Sequence, residues 1–188
     1  MAEPRDPGRL RARHRRDDQH RATRGSRRGT PQRRGAHVTR IEVAIELDAT
    51  PERVWEIVEP VERHVDWMAD AVEIRFDTDQ TRGVGTSFQC DTKVGPIRLT
   101  DHMEITEWEP QRSMGVRHTG IVTGSGVFTL EPLDLGRRTR FTWSEELRFP
   151  WFLGGRLGEA VGGRIVMRAI WRRNLRELQR LVDAPATV

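Results

Sequence analysis

The chain has 188 residues, 36% hydrophobic and 32% charged, a composition that suits one globular domain with a sizeable core. No stretch approaches the roughly 18 apolar residues of a spanning helix, and the first residues lack the apolar core of a secretory signal. Cys90 is the single cysteine, which excludes an intramolecular disulfide or a multi-cysteine metal site and makes a reducing cytoplasm the expected compartment. The formal charge of +4 is unevenly divided: residues 1–37 hold twelve Arg against Glu3, Asp6, Asp17 and Asp18, and the rest holds 20 basic and 24 acidic residues.

Residues 1–37 have Leu10 as almost their only large apolar side chain, too little to offset the entropy of ordering, so a disordered tail is expected. Three readings stand for it: a solvated basic run, an Arg-rich arm for nucleic acid or ribosomes, or a non-native extension upstream of a start near Val38. Lys93 is the only Lys, which suggests a GC-rich coding sequence, where such extensions arise.

The folded pattern begins at Val38. Residues 40–47 alternate, with Ile41, Val43, Ile45 and Leu47 on one face, which predicts a half-buried strand. Thr50 can cap a following helix, Pro51 suits its first position and Glu52 its positive dipole end. Val54, Ile57 and Val58 give that helix a short apolar face, and Val61, Val65 and Met68 mark a second short helix beyond Pro60. Six more strands are predicted at residues 71–77, 83–91, 96–108, 113–118, 122–131 and 137–149, with connections short enough for hairpins. Ala160, Met167, Trp171, Leu175, Leu178 and Val182 then form one stripe of a long closing helix. The four last residues, 185–188, read as a flexible end.

This order, with Ala49-Thr50-Pro51-Glu52-Arg53-Val54-Trp55 after the first strand, Trp67 ending the helix pair, Gly83-Val84-Gly85-Thr86 before a strand, Thr142-Trp143-Ser144-Glu145 in the last strand and an Arg-rich closing helix, resembles the START-like (SRPBCC) superfamily. That superfamily includes polyketide cyclases/dehydratases and lipid-transport proteins. The resemblance covers residues 38–184 as one domain and implies an α+β helix-grip fold: a seven-stranded curved antiparallel sheet wrapped around the closing helix, with a cavity for an apolar ligand between them.

Strand alternation nominates the polar groups of such a cavity. Asp101 shares the face of Ile97, Leu99, Met103 and Ile105; His118 shares that of Met114 and Val116; Glu145 shares that of Phe141, Trp143, Leu147 and Phe149. Ionisable groups on apolar faces cost several kcal/mol unless paired, so these three are the candidate catalytic residues. Against that stands a structural reading, with Asp101 turned outward by a bulge and His118 exposed at its strand end. The expected ligand-lining set is Phe88, Cys90, Met103, Val116, Phe128 and Trp143 from the sheet, with Arg164, Met167 and Trp171 from the helix; Cys90 also reads as a small core residue. Arg164 lies about 40° from the centre of the helix stripe, where it forks to a carboxylate or packs its stem and leaves its head in water. Trp151, Phe152 and Leu153, beside Gly154-Gly155, read as a gate or as a plug at the sheet end, and a gate would allow transient membrane contact. His64, near the Val61 and Val65 face, reads first as a partly buried structural residue and otherwise as one bordering the cavity mouth.

No Gly-rich phosphate loop, GxSxG turn, HExxH pair or Cys/His cluster is present, so no cofactor or metal is expected. The function expected is binding of a hydrophobic or amphipathic small molecule, lipid, isoprenoid or polyketide-like, as carrier, sensor or polyketide-processing protein. The alternatives are a polyketide cyclase/dehydratase using acid–base residues of the cavity, and a ribosome- or nucleic-acid-associated factor using the basic tail, the last being the least expected.

Overall fold

A computed structural model describes residues 38–148 and 164–185. The Arg-rich segment 1–37, Phe149, the gate residues Trp151, Phe152 and Leu153, Ala160, the Arg164 side chain and residues 186–188 lie outside the described residues.

Strand β1 (Thr39–Leu47) is followed by helix α1 (Pro51–Val58) and a 3₁₀ helix (Val61–Asp66). Strands β2 (Ala71–Phe76), β3 (Ser87–Val94), β4 (Ile97–Glu109), β5 (Ser113–Thr119), β6 (Thr123–Leu133) and β7 (Arg138–Arg148) come next, and α2 (Arg164–Asp183) is the long closing helix. One antiparallel sheet holds all seven strands in the order β1-β7-β6-β5-β4-β3-β2. Every β2-to-β7 connection joins neighbours, whereas the two short helices carry the chain from one sheet edge to the other. This is a helix-grip α+β fold.

Local chemistry explains the element ends. Thr50 caps α1 by accepting from the Arg53 amide, with Pro51 in the first turn, as the sequence predicts. The predicted second helix forms as the shorter 3₁₀ turn. Strand β3 begins at Ser87, four residues later than residues 83–91 would place it. Gly83 and Gly85 adopt φ of 83° and 89°, a region glycine enters without strain. The Gln80 amide nitrogen also donates to the carbonyls of Arg82 and Val84 and to the Thr86 hydroxyl, so this segment is a closed turn.

The core divides along α2. Its second half buries Leu175, Leu178 and Val182 with Val54 and Val58 of α1, each large side chain contributing about 2 kcal/mol by leaving water. Trp171 stacks on Trp143 at 4.4 Å and 13° between planes, and Trp143 meets Phe128 and Trp67 edge-on at 5.3 and 6.1 Å. Towards the first half of α2, Val166, Met167 and the edge of the Trp143–Trp171 stack border open space between helix and sheet.

Candidate functional site

That space is a cavity of about 410 Å³ between the sheet and α2. Of the side chains nominated as ligand-lining, Phe88, Cys90, Met103, Val116, Phe128, Trp143, Met167 and Trp171 all border it. Arg164 begins α2, and its side chain is outside the described residues. Burial holds the Cys90 thiol up at about 11, so it stays protonated and apolar in character.

Asp101, His118 and Glu145 border the cavity together. Register explains how three strands deliver them to one point. Met103 of β4 pairs with His118 of β5, so Asp101, two residues earlier on the same face, lies diagonal to the imidazole. The bulge foreseen at Asp101 occurs instead between Ile105 and Glu107; Asp101 stays in register opposite Cys90 and points inward. His118 is likewise buried rather than exposed at its strand end. Glu145 lies on β7, one strand beyond β6. The β6 residues opposite His118 and Glu145 are Gly124 and Gly126, which carry no side chain to separate them. A Cβ at Gly126 would stand 2.8 Å from Glu145 Cγ and 3.1 Å from its Oε1, so that glycine is the socket of the carboxylate.

His118 Nδ1 donates to Asp101 Oδ2 at 2.5 Å, and its Nε2 lies 4.0 Å from Glu145 Oε1, with side-chain exposures of 8%, 12% and 9% for His118, Asp101 and Glu145. Trp143 Nε1 donates to the same Glu145 oxygen at 2.8 Å. Asp101 Oδ1 and His118 Nε2 are buried without a hydrogen-bond partner among the described residues, a condition that costs about 1–3 kcal/mol per group and marks sites kept for a purpose other than stability. Burial pushes the Glu145 carboxyl up to about 7, against the opposing pull of the His118 charge and the Trp143 hydrogen bond. Burial works to lower His118, but the Asp101 hydrogen bond and the charges of Glu145 and Asp101 outweigh it and raise its affinity for a proton. Both groups therefore hold a proton more tightly than they would in water, the imidazole through Asp101 and Glu145 and the carboxyl through burial.

The helix side of the cavity adds polar groups outside the nominated catalytic and ligand-lining set. His64, read as structural, is fully buried: Nε2 donates to the Val58 carbonyl at 2.7 Å, and burial drops its proton affinity to about 4, which keeps it neutral. Asp70 lines the cavity and is held by Asn174 of α2. A signal for both Asn174 and Gly126 was present: a polar residue inside an apolar helix stripe, and glycines inside a strand. Among the described residues no cluster is spaced to hold a metal ion, and no helix is long and apolar enough to cross a membrane.

Comparison with known proteins places this geometry. The family of polyketide cyclase / dehydrase and lipid transport proteins matches residues 38–183. The chain belongs to this family. Its fold is that of TTHA0849 from Thermus thermophilus, with a TM-score of 0.68 and 16% identity over 79% of this chain and 100% of the other. The Zhui aromatase/cyclase from Streptomyces sp. R1128 is similar over 78% of this chain and 92% of its own, with a TM-score of 0.59 and 20% identity. DR_A0006 from Deinococcus radiodurans is similar over 76% and 98%, with a TM-score of 0.54 and 15% identity. Among curated proteins none matches significantly. Membership of the polyketide cyclase / dehydrase and lipid transport family sets the coarse function as polyketide cyclisation or dehydration, or binding of a hydrophobic small molecule. In such a protein a buried acid–base chain beside an apolar cavity can hold an organic molecule and exchange protons with it.

Proposed function

We propose that the protein binds a hydrophobic or amphipathic keto-bearing molecule of the polyketide kind in the cavity, and that Asp101, His118 and Glu145 move protons on it to cyclise and dehydrate it. The observation that carries this reading is the buried chain Asp101–His118–Glu145 in an otherwise largely apolar cavity. The Zhui aromatase/cyclase, of the same fold, adds support by analogy.

Asp101 accepts the Nδ1 proton and fixes the tautomer, leaving Nε2 as the base. In cyclisation Nε2 takes a proton from a carbon between two carbonyls, the resulting enolate carbon bonds to a second carbonyl carbon, and protonated Glu145 gives its proton to that carbonyl's oxygen. Passage of the Nε2 proton to Glu145 restores both groups; in dehydration Nε2 then takes the next carbon-bound proton while Glu145 gives its proton to the departing hydroxyl, and the products are a carbon–carbon double bond and water. No redox partner is required. A dry cavity favours both steps by excluding competing water and holding the chain folded.

Carriage without turnover is the second reading. It is favoured by the enclosure of His118 Nε2, which has almost no accessible surface in the unliganded protein. The experiment that separates the two follows a synthetic poly-β-ketone by absorbance and, in parallel, its binding by tryptophan fluorescence. Asp101→Asn, His118→Gln and Glu145→Gln are each expected to lower turnover by about 10²-fold or more, with affinity changed only a few-fold. Turnover absent from the unaltered protein, with affinity altered in the variants, would establish carriage.

A further inference from the structure

Among the described residues, Asn174 is the one fully buried side chain in the inward stripe of α2 that is not apolar. Burying an amide there costs several kcal/mol unless both ends are bonded. Both are: Oδ1 accepts from the Ala69 amide at 3.0 Å, and Nδ2 donates to Asp70 Oδ1 at 2.7 Å. Neither bond serves the helix. Both serve the turn between the 3₁₀ helix and β2, whose effect is to hold the Asp70 carboxylate at the cavity. No salt bridge to Asp70 occurs among the described residues. The carboxylates of Asp70, Asp101 and Glu145 all line the cavity, while no Lys or Arg does so among the described residues. Asp101 is engaged by His118 and Glu145 by Trp143; Asp70 has only its amide clamp. Its charge also reaches Glu145, adding to burial in holding that carboxyl up.

We infer that Asp70, clamped by Asn174, is a second anchoring point of the cavity, which selects amphiphiles carrying a hydroxyl or ammonium donor and disfavours those ending in a free carboxylate. This rests on the ligand-binding reading and narrows its substrate class. A donor on the ligand meets a fixed, partly desolvated carboxylate and gains a charge-assisted bond without reorganising it. A ligand carboxylate meets like charge in a low-dielectric wall. A poly-keto chain bearing hydroxyls fits this pattern, and a free fatty acid does not.

The test uses naphthalene, 2-naphthylmethanol, 2-naphthylmethylamine and 2-naphthylacetate as matched probes, titrated by fluorescence at pH 6. Glu145, held up to about 7 by burial, then keeps its proton and Asp101 is paired with His118, which leaves Asp70 as the cavity carboxylate without an ion-pair partner among the described residues. Naphthalene reports the apolar site itself. The alcohol and amine are expected to bind about tenfold or more tightly than the acetate. Asp70→Asn should reduce that preference to less than about threefold, with naphthalene affinity unchanged. Asn174→Leu, which removes the clamp with an apolar residue of similar volume, should do the same. Equal binding of all head groups overturns the inference while leaving ligand binding intact. So does a donor preference that survives Asp70→Asn and disappears in Glu145→Gln. Failure of naphthalene itself to bind overturns the ligand-binding reading, and the Asp70 anchor falls with it.

Discussion

Burial holds Glu145 up to about 7, so the folded chain keeps a proton there at pH values where the unfolded chain has released it. Stability contributed by such a group is present at low pH and is lost as pH rises through the folded value. His118, also raised against burial by Asp101 and Glu145, acts with the same sign. His64 acts oppositely: burial lowers it to about 4, so its contribution is lost as pH falls from about 6.5. Comparing Glu145→Gln with the unaltered protein cancels His64, which both share. The variant is expected to gain relative stability from pH 5 to about pH 7 and to level off above it, by up to about 3 kcal/mol in all, read from urea midpoints at each pH. A difference independent of pH would show that Glu145 is ionised throughout. At this scale the sequence was informative where alternation alone decides: Asp101, His118 and Glu145 stand out on apolar faces. That the three could face one another followed from the same alternation, but what brings them together did not, because it depends on register across β6 and on the absence of a side chain at Gly126. Asn174 escaped notice because the stripe was read from its apolar members, and a single amide does not disturb a 3.6-residue period.

Elements were legible to the extent that their cause is local. The Thr50-Pro51 start of α1, the alternation of β1 and the stripe of α2 are fixed by neighbours in sequence. The start of β3 was misplaced because Gly83-Val84-Gly85-Thr86 reads as the opening of an extended run, while side-chain bonds from Gln80 and two positive φ angles close it into a turn. The closing helix shows the value of the periodic signal. Trp171 is 2% exposed and stacks on Trp143, whereas Arg172 and Arg173 next to it are exposed. Trp171→Ala should therefore cost about 3–5 kcal/mol through lost burial and a new void, and Arg172→Ala less than about 0.5 kcal/mol. Urea unfolding of the two variants measures both. Comparable losses would mean that α2 is not held by this stripe.

The cavity is a consequence of dimensions at the scale of the whole sheet. Seven strands at about 4.8 Å spacing make a sheet about 29 Å across, while one helix with its side chains covers about 10 Å. Along the second half of α2, α1 fills part of the remaining width with Val54 and Val58. Along its first half no described helix does so, and the space of about 410 Å³ remains. Strand order could be anticipated from the short connections, but the volume could not, because it is a difference between two large filled quantities that local patterns do not record. A filled core and a cavity respond oppositely to added bulk. Leu99 lines the cavity and is only half-buried, and at Leu99→Trp the larger ring has space to enter. In a close-packed interior such a change costs about 1–3 kcal/mol through forced rotamers and shifted backbone. Here stability is expected to stay within about 1 kcal/mol of the unaltered protein, while naphthalene affinity falls about tenfold or more because the ring occupies its place. The unaltered protein should in turn be stabilised by about 2.7 kcal/mol at a naphthalene concentration one hundred times its Kd, and the variant by about 1.4 kcal/mol or less at the same concentration. Calorimetry with and without the probe reads both quantities. A Leu99→Trp protein that unfolds early and binds naphthalene as before would mean that the side chains close over this space and that the ligand lies elsewhere.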